Sequence, residues 1–403
     1  MKKTLLAMAI LAASGASFAQ VTISGSLIMG YKATKSTGTN AINLTPFGFG
    51  LGNVAAVAGN DASGFGVDTS EINFSAVEDL GAGQKIEAKL ALAGADRSGE
   101  SGNTAAGASS GTVTGRDATL TYTNNSFGRI QMGTTMDAAV HSGIPSAGAP
   151  VIDMDGKLFQ IRTNSDFISY TAPIGPVIFQ YKLSESSAGL GLGNGTSGTA
   201  GRPVGQRTSD LAVVYSTGPL QLVGVYRSYD NRNSVNIAAG EGLTKDDAFA
   251  VQAGYDFGVA KLGFGIVNTK ASVGPKVSDM LLGVSVPMNA WTFGMTLGRS
   301  TVSGVADSAV SVFPGGAGAA LFKSAMQRAD GTADSVSVGA QYAFSKRTSL
   351  SLKHATWTRS GYEQFEAWGA RAAAGGLAGI TALNEFGYSD RANETTLLLA
   401  HSF

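Results

Sequence analysis

Asn393-Glu394-Thr395-Thr396-Leu397-Leu398-Leu399-Ala400-His401-Ser402-Phe403 is the stretch whose reading decides the fold. Taking every second residue back from the end gives Phe403, His401, Leu399, Leu397 and Thr395. Successive side chains of a strand point to opposite faces, so these five share one face. That face is largely apolar and ends in an aromatic ring beside the carboxylate. The pattern is expected of a strand that closes a membrane barrel, with one face against lipid and its end at the interface.

The first residues agree. Met1-Lys2-Lys3 is a short basic start, Leu5 to Ala13 is apolar, and Ser17-Phe18-Ala19 carries small residues at the spacing of a cleavage site. The apolar run is too short to span a bilayer as a helix. Residues 1–19 are therefore expected to be a signal peptide, and residues 20–403 the exported domain. The chain has no cysteine, so no disulfide framework is available to it after export. Charged residues make up 14% and the formal net charge is zero, falling to about −2 once Lys2 and Lys3 are removed. Such a balance argues against nucleic acid as a partner. Nothing after the signal is apolar for long enough to cross as a helix.

Working outward, the alternation recurs. Strand-length runs are expected at 21–32, 68–80, 85–95, 116–126, 129–135, 166–172, 177–184, 209–216, 220–229, 247–257, 261–269, 279–287, 291–299, 335–344, 348–358 and 393–403. Short turns alternate with long polar loops; Gly81-Ala82-Gly83-Gln84, Phe127-Gly128, Thr217-Gly218-Pro219 and Asn289-Ala290 are among the turns. Parity separates two faces. Trp291, Phe293, Met295 and Leu297 alternate with Thr292, Gly294 and Thr296, and Val336, Val338, Ala340, Tyr342 and Phe344 alternate with Ser337, Gly339, Gln341 and Ala343. The apolar faces end in aromatics beside the short turns, where a membrane interface would lie. The expected fold is all-β: a transmembrane antiparallel barrel of about sixteen strands, with turns at one end and long loops at the other. A soluble sandwich is the competing reading, but it gives no reason for outward aromatics at matching heights.

These residues carry a family resemblance. The opening Val21-Thr22-Ile23-Ser24-Gly25, the turn Glu78-Asp79-Leu80-Gly81-Ala82-Gly83, and Phe127-Gly128-Arg129-Ile130-Gln131-Met132-Gly133 resemble the Gram-negative general porins, with the beta-proteobacterial branch nearest. Asn164-Ser165 with Tyr170 and Pro173, and the terminal His401-Ser402-Phe403, add to it. The resemblance implies a trimeric, water-filled pore in the outer membrane, open to ions and small hydrophilic solutes. It also implies short turns on the periplasmic side, a third long loop folded inward, and Phe403 as part of a signal read by barrel assembly machinery. Lipid and lipopolysaccharide are the implied surroundings, and no cofactor is implied.

By the same resemblance the constriction loop is about 136–162. It carries Asp137, Asp153 and Asp155, with Lys157 and Arg162 near its end. Strand parity places Lys32, Lys89, Arg129, Lys182 and Lys353 on the face away from lipid, as candidates for a basic wall. Charges at a constriction set which solutes pass. Lys182 and Lys353 lie towards strand middles, whereas Arg129 lies close to a turn. The sequence departs from the family pattern at Glu71, Ser75, Thr134 and Ser169, where lumenal cations are usual, and Glu87 adds a further acid. These departures point to weak or cation-favouring selectivity.

Other features read more plainly. Asp153-Met154-Asp155-Gly156 resembles the start of a calcium loop but lacks the remaining ligands, so an acidic inward loop is the better reading. Gly189 to Gly195 imitates a nucleotide fingerprint without a following helix. His141, His354 and His401 are too scattered for a metal site. An outer-membrane hydrolase would need a Ser-His-acid set, for which His354 with Ser360 and Glu363 is a weak candidate. A substrate-specific channel would need a lumenal aromatic track, and Tyr229 and Trp357 are too isolated to make one.

Overall fold

The computed structural model describes residues 20–37, 42–43, 53–54, 61–94, 114–138, 162–186, 207–230, 245–271, 276–304, 330–358 and 391–403. Sixteen strands join in one closed barrel. They are β1 (Gln20–Ser36), β4 (Asp61–Gly81), β5 (Gln84–Ala93), β6 (Thr114–Asn124), β7 (Gly128–Ala138), β8 (Arg162–Ile174), β9 (Val177–Ser186) and β10 (Arg207–Thr217). The series continues with β11 (Leu220–Asp230), β12 (Lys245–Asp256), β13 (Lys261–Ala271), β14 (Lys276–Met288), β15 (Trp291–Ser303), β16 (Gly331–Ala343), β17 (Thr348–Thr358) and β18 (Arg391–Ser402). A two-stranded pair, β2 (Ile42–Asn43) and β3 (Asn53–Val54), lies apart from the barrel between β1 and β4. Every barrel strand pairs antiparallel with its chain neighbours, and β1 closes the circle against β18.

All sixteen expected strands are present, and most run further at the long-loop end than alternation alone suggests. The largest difference is β4, which begins at Asp61 rather than near Asp68. Its first residues, Asp61-Ala62-Ser63-Gly64, have loop composition, yet they pair with 32–35 of β1. Ladder hydrogen bonds belong to the backbone and do not require apolar side chains, so a strand can rise above the membrane without an alternating signal. Between Ile28 and Met29 the β1–β4 register shifts by one residue. The extra residue, Asp68, reverses the parity of β4, so that Ile72 and Phe74 face outward after it and Val67 and Phe65 before it. The short turns use left-handed backbone where tightness demands it: Gly175, Gly218 and Gly258 have φ of 60°, 52° and 82°, and Asn289 takes 56°.

The outer face is apolar as parity requires. Phe293, Met295, Leu297, Val336, Val338, Leu397 and Leu399 are exposed on it. Beside the short turns, aromatic rings gather in contact. Trp291 and Tyr342 lie 4.9 Å apart, Tyr342 and Phe344 5.1 Å, and Tyr255 and Phe257 4.4 Å, centroid to centroid. Two residues beyond Leu297 and Val336 the same face changes character, with Arg299 Nε donating to Asp334 Oδ1 at 2.6 Å. An aromatic edge, an aliphatic middle and a charged upper edge form the profile of a membrane-crossing surface.

The inner face is mostly small and polar, with an apolar group of Ala248, Ala250, Val267 and Leu281 on β12 to β14. Along β12 to β18 much of it is withdrawn from solvent, with Gln252, Val267, Leu281, Thr296, Ser337, Ser351 and Thr396 all buried. Along β4 to β6 and β9 to β11, the inward charged residues Glu71, Glu87, Lys89, Lys182 and Arg227 retain partial exposure.

Candidate functional site

The chemistry of a pore lies in its inward charges, and the barrel groups most of these. On β17, β18 and β1, Glu394 sits between two lysines. Lys353 Nζ is 3.2 Å from Glu394 Oε1, and Lys32 Nζ is 3.0 Å from Glu394 Oε2. Lys353 is fully buried and the Glu394 side chain is 4% exposed, while Lys32 keeps 30%. Lys32 and Lys353 face each other across Thr396 in register.

A second cluster of the same plan lies on β9, β10 and β11. Lys182, Asp210 and Arg227 occupy one register row. Arg227 grips Asp210 with two parallel bonds, Nε to Oδ1 and Nη2 to Oδ2, both 2.6 Å. This fork-on-carboxylate geometry is the strong form of the ion pair. Lys182 Nζ stands 4.7 Å over the centre of the Phe167 ring, and Arg227 lies 5.9 Å from that of Tyr229. β9, β10 and β11 are half the circumference away from β17, β18 and β1 in the strand order, so the two clusters face each other across the lumen. Lys182 is five residues past Val177 and Lys353 five past Thr348. Both therefore stand about 17 Å along their strands from the short turns, near the middle of the apolar band.

A third group lies on β4 to β6. Arg116 Nη1 donates to Glu71 Oε2 at 2.6 Å, Asn73 Nδ2 to Glu71 Oε1 at 2.7 Å, and Ser75 Oγ to Glu87 Oε1 at 2.8 Å. Lys89 pairs in register with Ser75, beside this group. Arg129 shares the inward face but stands beside the turn at Gly128, away from both mid-depth clusters. Asp137 and Arg162 belong to the β7–β8 ladder, opposite Thr163 and Ala138 respectively, at the end where those strands leave the barrel. Asp153, Asp155, Lys157 and His141 lie outside the described residues, as do Gly189 to Gly195, Ser360 and Glu363. His354 points outward, and its Nδ1 is 2.9 Å from Thr395 Oγ1.

Glu394, Asp210, Arg227 and Arg116 were not singled out by the sequence reading. Asp210 and Arg227 carry a usable signal: each is seven residues from the turn that joins their strands, so counting outward from Thr217 and Leu220 pairs them. Glu394 shows only its inward parity, and Arg116 none that identifies Glu71, which lies two strands away.

The last residue closes the seam. Gly25 and Phe403 exchange both backbone bonds, Gly25 N to Phe403 O and Phe403 N to Gly25 O, each 3.1 Å. The Phe403 ring lies over Gly25 on the outer face, where a Cβ would stand 2.5 Å from a ring carbon. Glycine at the end of the Val-Thr-Ile-Ser-Gly opening leaves room for both the backbone oxygen of Glu71, which a Cβ would meet first, and the terminal ring.

A closed antiparallel barrel with an apolar belt outside and charges inside defines a membrane-spanning pore. Comparison places it further. The chain belongs to the Gram-negative porin family, whose model matches residues 4–361. It is 28% identical over 312 residues to outer membrane porin protein 32 of Delftia acidovorans, covering 72% of this chain and 76% of that one. Among solved structures it resembles the anion-selective porin from Comamonas acidovorans, with a TM-score of 0.57 at 19% identity over 96% of this chain and 100% of that one. The outer membrane channel DcaP of Acinetobacter baumannii gives a TM-score of 0.57 at 14% identity, over 96% and 98% of the two chains. The protein is an outer-membrane porin, and the relatives named are porins and channels.

Proposed function

We propose a general-diffusion pore of weak charge selectivity. The observation that carries this is the pairing of lumenal charge within the wall. Lys32 and Lys353 share Glu394, Arg227 holds Asp210, and Arg116 holds Glu71. Each mid-depth cluster carries two cations and one acid, so the two opposed walls repeat one another rather than presenting opposite signs. Paired charges produce a weaker field at the pore axis than isolated ones at the same depth. Glu71 in particular adds little net negative potential once Arg116 is beside it. The Comamonas protein is named anion-selective, but at 19% identity its likeness carries the fold and not the selectivity.

Around this reading stand proposals that rest on the resemblance. Asp137, Asp153, Asp155 and Arg162 belong to an inward third loop and its rims, which narrows the pore. Three copies associate in an outer membrane of lipid and lipopolysaccharide. Residues 1–19 are removed on export, and Phe403 is read by the assembly machinery. Transport is passive, with no covalent chemistry.

The test is the reversal potential of the refolded protein in a planar bilayer under a tenfold potassium chloride gradient. The expected value is a small fraction of the about 59 mV that an ideally selective pore would give for a monovalent ion. A value near that limit, of either sign, would overturn the compensated-wall reading.

A further inference from the structure

The apolar cover of the outer face is uneven. On β15 and β16 four successive outward rows are apolar, from Leu297 with Val336 down to Trp291 with Tyr342. The same rows continue in register across β17, β18, β1 and β4, and there the upper two change. The first reads Thr356, Asn393, Lys35 and Asp61, and the second His354, Thr395, Ala33 and Ser63. Only the two rows below are apolar, beginning with Leu352, Leu397, Tyr31 and Phe65. Over the closing seam the polar surface therefore descends to a depth at which β15 and β16 present aliphatic chains to lipid.

Two further observations single out this patch. Phe65 is 85% exposed, the most of any large apolar side chain among the described residues, and meets only the edge of Tyr31, 5.2 Å away. The margins carry opposite charges. Arg391 on β18 is exposed, with Thr358 opposite it on β17 and the Thr37 N–H donating to its carbonyl from β1, so no acid stands beside it in its row. Asp61 on β4 is 75% exposed, and its contact with Lys35 is a loose one of 3.8 Å.

We infer that a second copy of this chain covers the patch, each copy setting its Phe65 and Asp61 against the next, with Asp61 meeting Arg391 of that copy. The inference rests on the pore reading and gives its associated copies a contact face. Lipid suits the patch poorly. A headgroup reaches the row of Arg391 but not that of His354, four residues deeper and about 13 Å along the strand. Acyl chains offer no partner to His354, Thr395 and Asn393. Within a bilayer, protein surfaces that meet are rich in small residues, which let backbones approach, and in hydroxyl and amide side chains. The two upper rows have that composition. Phe65 supplies the apolar area that association buries. Within one copy Asp61 and Arg391 stand about 10 Å apart, because β1 lies between their strands. An acid at one margin and a cation at the other make a head-to-tail contact, the kind that generates closed rings.

The experiment is disulfide crosslinking after extraction in mild detergent, with single-channel conductance measured on the same samples. The chain has no cysteine, so Asp61→Cys with Arg391→Cys introduces the only two thiols. Within one copy they are too far apart to bridge. Oxidation is expected to give covalent dimers and larger closed species, while Asn268→Cys, on β13 outside the patch, gives none. Phe65→Ser should lower the ratio of oligomer to monomer about tenfold. Asp61→Arg should lower it severalfold, and adding Arg391→Asp should restore it, which a merely local role for either charge would not do. Conducting monomers with no crosslink would overturn the face and leave the pore intact, whereas crosslinked oligomers that conduct nothing would keep the face and overturn the pore. Crosslinking as strong through Asn268→Cys would place the contact elsewhere and overturn the inference. So would a monomer that retains a phosphorylated lipid and loses it on Arg391→Asp, since lipid would then cover the patch.

Discussion

Lys353, Glu394 and Lys32 on one wall, and Lys182, Asp210 and Arg227 on the opposite wall, both place an acid between two cations on three adjacent strands. Their surroundings differ. Lys353 is fully buried and Glu394 nearly so, among inward Ser337, Ser351 and Thr396 that are also buried. Arg227 and Asp210 each keep 12% of their side-chain surface, and Lys182 stands beside a partly exposed ring. The first cluster joins the β1–β18 seam where the chain closes on itself, and the second keeps partial exposure at Lys182 and Arg227. A charge in water is cheap to leave alone, whereas a buried one is tolerable only with its partner.

The largest expected effect follows. Glu394→Gln removes the charge that compensates Lys353 and should cost about 3–5 kcal/mol, read from the urea midpoint of barrel unfolding. Asp210→Asn, with more water at hand, should cost about 1–3 kcal/mol. Adding Lys353→Met to Glu394→Gln should recover most of the loss, because the uncompensated ammonium is then gone. Equal costs for the two acids, or no recovery in the double variant, would erase the distinction between the walls.

Lysine scanning sharpens it. At Val338, outward and mid-strand, lysine should cost about 2–4 kcal/mol. At Thr292, inward and half-buried, it should cost within about 0.5 kcal/mol. Ser337 is inward by parity yet buried, so lysine there should cost about 1–3 kcal/mol through overpacking. If Ser337 tolerated lysine as Thr292 does, the wall along β16 would be open to water after all.

These contrasts show what the sequence made legible. Face parity came from alternation alone, and it assigned Thr292 and Ser337 to the same face. It could not separate them, because exposure within the lumen depends on what lies across from each strand. Arg227 and Asp210 could have been paired by counting from a two-strand turn. Glu394 could not be paired with Lys353, because a long loop separates β17 from β18 and leaves the register uncounted. Nor could Arg116 be paired with Glu71, which meets it over an intervening strand. Asp61 to Gly64 looked like loop because their strand is held by backbone bonds above the apolar belt. The sixteen strands and the closing role of Phe403 were legible because membrane contact imposes a strict two-residue period.

Selectivity tests the same comparison with a smaller energy. Asp210→Asn should shift the reversal potential towards anions, and Lys182→Gln should shift it towards cations. Lys353→Gln should do less than Lys182→Gln, since its charge is buried and shared with Glu394. All three shifts should shrink as salt rises and the Debye length falls from about 10 Å at 0.1 M to about 3 Å at 1 M. Equal shifts from Lys182 and Lys353 would mean that the buried cluster contributes to the pore's field as strongly as the open one.

The smallest stability effect is expected at the seam's end, where the functional consequence is expected to be large. Phe403 adds one residue pair to the β1–β18 ladder, the two 3.1 Å bonds with Gly25, and one half-exposed ring on the outer face. The register of the seam runs on without it, from Ser26 opposite Ser402 to Ser36 opposite Ala392. Deleting Phe403 should therefore lower the stability of protein refolded in vitro by only about 1–2 kcal/mol. An unfolded chain, however, presents this alternating strand as an edge that another protein can extend by strand addition. If the terminal ring is part of what is recognised, the deletion should cut the amount of folded protein in the outer membrane severalfold. Gly25→Val provides the complementary change, since it crowds the backbone of β4 at Glu71 and the seated ring while leaving the terminal signal intact. That variant should lose stability in vitro and yet be delivered to the membrane better than the deletion. If the deletion reached normal membrane levels, Phe403 would be a closing residue only, and its effect would be confined to the seam.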